Sequence, residues 1–118
     1  MLVADTPVAF VAAADALDRA MQKREAIDAI TRGLRRHPSA AALVLQGARL
    51  HLAYGELDAA NALLRLPAVR QFEVPDQIRV QELLATLAER RGDLVGAVTA
   101  RARARVLSAA GGDRARGH

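Results

Sequence analysis

Asp15 and Asp18 stand at i, i+3 spacing, and Glu82 and Glu89 lie two helical turns apart. On a helix such spacings bring carboxylates to one face, where a pair could in principle do acid–base work. Neither pair has a nucleophile, a histidine or a glycine-rich loop near it in sequence, so the residues favour solvated helix surface. The three histidines, His37, His51 and His118, form no pair at metal-ligand spacing, and no His-Glu-x-x-His pattern occurs. His51 falls among helix-packing positions and His37 at a helix end. There is no cysteine, which removes both disulfides and thiolate ligands and fits a reducing compartment. Gly111-Gly112 is followed by a polar tail rather than by a helix carrying a lysine, so it does not read as a phosphate cradle. Ser39 and Ser108 are the serines, and Ser39 reads as a helix cap. No constellation for catalysis, no metal site and no cofactor are expected.

Arg101-Ala-Arg103-Ala-Arg105 invites a nucleic-acid reading. On a helix, two-residue steps turn about 200°, so Arg103 points away from Arg101 and Arg105. With aromatics at 3% of the chain, base-stacking platforms are also scarce. An acidic protein partner, or plain solubility, explains these arginines better. The basicity is C-terminal: of 17 basic residues, the five after Ala100 face Asp113 alone, and the rest are balanced by acids.

The elements that must position these groups are helices. The chain is 52% apolar, chiefly alanine and leucine, which suits close-packed helices rather than a sandwich or barrel. Thr6-Pro7 opens the first helix, with Phe10, Ala14, Leu17 and Met21 as its stripe. Lys23-Arg24-Glu25 interrupts it, and Ala26, Ile27, Ile30 and Leu34 continue to Pro38. This predicts a hairpin, against the alternative of one helix over 7–36, which would leave an apolar stripe unpartnered. Ser39 then starts a helix carrying Leu43, Val44, Gly47, Ala48, Leu50 and His51. Gly55 breaks it, and Leu57, Ala60, Leu63 and Leu64 resume until Pro67. Pro75-Asp76 starts a fifth helix with Val80, Leu83, Leu84 and Leu87. Gly92 ends it, Asp93 caps the sixth, whose packing face would use Leu94, Val98 and Val106, and Ala109-Ala110-Gly111-Gly112 leads into a tail expected to be disordered.

Two segments are alike. Gly55-Glu56-Leu57-x-x-Ala60 is matched 37 positions later by Gly92-Asp93-Leu94-x-x-Ala97, and Ala26 precedes Ala60 by 34. Helix–turn–helix units of this period resemble tetratricopeptide repeats. The resemblance covers residues 7 to 109 and rests on the small residues Ala26, Ala60 and Ala97. Only Pro38 matches the closing proline, the first turn has no glycine, and Arg101 stands where an apolar residue is expected. It implies an all-α fold of about six helices, three stacked antiparallel hairpins in a right-handed superhelix. The expected layout is a 1–6 extension, a 7–109 repeat domain and a 110–118 basic tail.

The resemblance also implies a function: an adaptor or chaperone, not an enzyme, holding a helix or peptide of a partner protein in a concave groove. By repeat position the groove would present Val11, Asp15 and Asp18, then Leu45, Arg49 and Leu52, then Glu82, Thr86 and Glu89. Leu45 and Leu52 lie off the stripe that packs their hairpin, so they either meet a partner or pack on a neighbouring repeat helix or the chain's own N-terminus. Length and layout resemble the small tetratricopeptide chaperones of bacterial type III secretion. A self-associating scaffold and a basic-tailed nucleic-acid-associated regulator remain as other readings. No stretch approaches the ~20 apolar residues of a membrane span. The apolar run 8–14 follows Asp5 rather than a basic segment, which disfavours a signal peptide and points to the cytoplasm. Arginine and alanine richness, with Lys23 as the single lysine, suits a GC-rich bacterial genome.

Overall fold

The computed structural model describes the backbone of residues 5–116 and the side chains of residues 5–111. It contains six α-helices and, among the described residues, no strand: α1 (Pro7–Arg19), α2 (Lys23–Arg36), α3 (Ala41–Ala53), α4 (Leu57–Leu64), α5 (Val74–Arg90) and α6 (Leu94–Arg116), with a 3₁₀ turn at Pro67–Gln71. The chain divides into two compact units, one through Leu63 and one from Leu64. Residues 1–4 of the expected N-terminal extension, and 117–118 of the expected tail, lie outside the described residues.

The same turn is built three times. The backbone N–H groups of Gln22, Glu56 and Asp93 donate to the carbonyls of Leu17, His51 and Ala88, five residues back, at 2.9, 2.8 and 2.8 Å. Each such bond closes over a residue in the left-handed region: Met21 at φ 64°, Gly55 at 78° and Gly92 at 76°. This is the Schellman arrangement, which satisfies carbonyls that a helix end leaves unpaired. Residues 7–36 are thus a hairpin and not one helix. Met21 takes the glycine's place in the turn, at the steric cost that a Cβ incurs there.

In the first unit, α1 and α2 pack on each other and both pack on α3. Thr6 caps α1 as expected, its hydroxyl accepting from the Ala9 N–H at 3.2 Å, and Pro7 fills the first turn. The core joins Ala14, Ala26, Ala29, Ile30, Leu43 and Leu50, closed over by Phe10, Val11, Leu17, Ile27 and Leu34. At Gly47 side chains of two helices close in on the backbone: a Cβ there would lie 2.9 Å from the Ile30 side chain and 2.8 Å from that of Leu63. Ser39 does not cap α3. Pro38 initiates a tight turn, closed by the Ala40 N–H on the His37 carbonyl at 3.2 Å, and this turn takes up Ser39, leaving Ala40 as the cap residue.

In the second unit, α5 lies along α6. Small buried residues of α6, Ala97 and Ala100, suit a close approach of the two rods. Asp93 caps α6 as expected, its carboxylate accepting from the Gly96 N–H at 2.9 Å. The Gln77 amide donates to the Arg70 and Phe72 carbonyls at 3.2 and 3.0 Å, tying the 3₁₀ turn to α5. α6 does not stop at Ala110, where a disordered tail was expected, but runs through Gly111-Gly112 to Arg116. The alanines and arginines around that pair are strong helix formers and offset the roughly 1 kcal/mol each glycine costs.

Candidate protein-binding surface

The groove residues expected on the first unit are already engaged. The Asp15 carboxylate accepts from the Gln46 amide at 2.8 Å and pairs with Arg19 at 3.3 Å. Asp18 accepts from the Tyr54 hydroxyl at 2.6 Å. These bonds fasten α1 to the helix α3 and its cap residue, so the two aspartates hold the unit together. Burial, and the adjacent Asp18 carboxylate that accepts its proton, push the Tyr54 hydroxyl up to about 12. Lys23 adds a cation over the Tyr54 ring at 5.3 Å. Val11 packs against the core.

Leu45 and Leu52 are 8% and 4% exposed. They offer no surface to a partner, and their expected role as groove anchors gives way to packing inside the chain. The reason is that α3 is buried almost all round, from Leu43 to Ala48 and again at Leu50 and Leu52. A helix wrapped on more than one side is apolar on more than one face. Arg49 remains exposed, and His51 is drawn to Glu56 at 2.8 Å across the turn.

The residues expected on the third hairpin stay at the surface. Glu82, Thr86 and Glu89 are exposed on α5. Glu89 pairs with Arg101 of α6 at 2.6 Å, which explains a charge at an expected apolar position. Glu82 and Thr86 line a shallow cleft of about 340 Å³ with Arg101 and Arg105. The Thr86 hydroxyl itself donates to the Glu82 carbonyl at 3.2 Å, as helical threonines often do.

The surface that sequence reasoning missed is the outer side of α6. Leu94, Val95, Val98 and Val106 are between 64% and 78% exposed. At about 100° per residue they share one side of the helix with Ala102, roughly opposite the side of Ala97, Ala100 and Ala104. The helix is therefore apolar twice over: an alanine side for α5 and a valine side that is exposed among the described residues. Next to the valine side, Gln81, Thr99, Ala102, Arg103, Val106 and Leu107 line a recess of about 430 Å³ whose walls are almost wholly apolar. The signal was present in Val95 and Val98, but the sequence stripe assigned Leu94, Val98 and Val106 to the packing face.

The fold and this surface define an all-α protein of helical hairpins with an apolar helix side exposed among the described residues. Compared with family models, with curated proteins and with solved structures, the chain matches none. Among the described residues, no helix is long and apolar enough to cross a membrane, and no group of histidines and carboxylates could hold a metal ion.

Proposed function

We propose that this chain is a non-enzymatic protein-interaction module, an adaptor or chaperone that holds a helix or peptide of another protein. The observation that carries the proposal is the valine side of α6, with four large apolar residues exposed on one helix. A contiguous apolar surface of this kind marks an interaction site more often than it marks ordinary surface. The thrice-repeated hairpin turn supports the reading, because arrays of such units present extended helix sides to partners. The binding side differs from the groove the sequence suggested. In the narrower form of the proposal, the module is a cytoplasmic chaperone of type III secretion; this rests on its length and its three-hairpin layout.

A photo-crosslinking amino acid at Val98 tests the proposal in the native host, with the same group at Thr31, exposed on α2, as control. A discrete adduct with another protein from Val98 and not from Thr31 is the expected result. Absence of any adduct with another protein from Val98 would remove the reading. An exported protein in the adduct would support the narrower form.

A further inference from the structure

We infer that the occupant of the α6 valine side is an amphipathic helix with acidic borders, supplied by a different protein; this rests on the interaction reading above. The stripe from Leu94 to Val106 spans about 18 Å at 1.5 Å per residue, the length of three helical turns. A shape that long, straight and narrow fits a helix laid alongside, with Ala102 at its middle allowing close approach. The apolar side is bordered by arginine on both flanks. Arg101 and Arg105 lie on one flank, where they line the cleft with Glu82, and Arg103 lies on the other, at the rim of the apolar recess. Arg101 is held by Glu89, whereas Arg103 and Arg105 have no carboxylate partner among the described residues.

Those borders decide between a foreign helix and a second copy of this one. Two copies of α6 packed antiparallel bring like flanks together, so Arg101 and Arg105 would face their own duplicates. Packed parallel, they bring opposite flanks together, and Arg103 would face Arg101 and Arg105. Either way cations meet cations, and like charges across an interface count against that partner. A helix with glutamate or aspartate on both sides of an apolar stripe instead supplies carboxylates to Arg105 on one flank and Arg103 on the other. The recess beside Arg103 offers apolar room for a side chain of the incoming helix. Gln81 lines the same recess, and its side-chain oxygen is buried beneath the surface with no hydrogen-bond partner among the described residues, out of reach of an incoming helix.

The test uses the full chain and two synthetic 16-residue helical peptides, both with the same leucine stripe. One carries glutamates along both borders and the other carries lysines, and binding is read by fluorescence anisotropy. The glutamate peptide is expected to bind at least tenfold more tightly, with the preference shrinking at high salt as surface charges are screened. Arg103→Glu/Arg105→Glu, both at exposed positions, should reverse the preference. Val98→Asp should weaken the glutamate peptide by tenfold or more while helicity by circular dichroism is unchanged. Equal affinity for the two peptides, or a preference untouched by Arg103→Glu/Arg105→Glu, would overturn the acidic partner while leaving the crosslinking result standing. Failure of the glutamate peptide to bind would overturn it too. A dimer in solution that Val98→Asp dissolves would give the surface to a second copy and also overturn it.

Discussion

Tyr54 reports on the first unit through its hydroxyl, and it is easily watched, since the chain has one tyrosine and no tryptophan. Its proton is retained up to about 12 because burial and the Asp18 carboxylate both disfavour the phenolate. A group raised in the folded state adds stability that is complete below its unfolded value, near 10, and is lost as pH climbs through its folded value. Stability to urea should therefore hold up to about pH 10 and decline between there and pH 12. The phenolate absorbance should rise about two pH units later than in the unfolded chain, and Asp18→Asn should move that rise toward the ordinary value. Leu52 makes a second prediction at this scale. Leu52→Glu would place an unpaired carboxylate at a buried site, so it should destabilise the chain by several kcal/mol in chemical denaturation. A variant of full stability would return Leu52 to the surface.

At the scale of elements, the turns and the helix crossings set the costs. Met21 is 76% exposed and sits in the left-handed region, so Met21→Gly loses little packing and relieves the Cβ strain. It should raise stability by about 1 kcal/mol, measured as a shift in the urea midpoint at unchanged slope. Gly47→Ala works in the opposite direction, because the added methyl meets Ile30 and Leu63 inside van der Waals distance. A loss of about 1–3 kcal/mol is expected there. Most of the elements were legible in the residues. Thr6-Pro7, Gly55, Gly92-Asp93 and Pro67 punctuate the helices as their local chemistry dictates. Ser39 was misread because a preceding proline can draw a capping residue into its own turn, and two chemically good fates then compete. Gly111-Gly112 was misread because a glycine pair breaks a helix only when its flanks are weak helix formers.

For the molecule as a whole, two compact units and a basic C-terminal helix carry the functional reading. Because the arginine borders of α6 repel their own duplicates, the purified chain should be a monomer by light scattering at low salt; a salt-resistant dimer would contradict this. The sequence by itself determined the class of fold: apolar residues at helical spacing, divided by glycine and proline, fix six rods and their turns through local backbone sterics. It also showed the repeat in Gly55 with Ala60 and Gly92 with Ala97, whereas Met21, expected on the first helix's stripe, is shown to be the matching turn residue only by its left-handed backbone. Only the tertiary structure decided which apolar faces are covered. Leu45 and Leu52 are as hydrophobic as Leu94 and Val98, yet the first pair is buried and the second exposed. Hydrophobicity is a property of the side chain, but burial depends on which other helices arrive, and a one-dimensional pattern does not carry that.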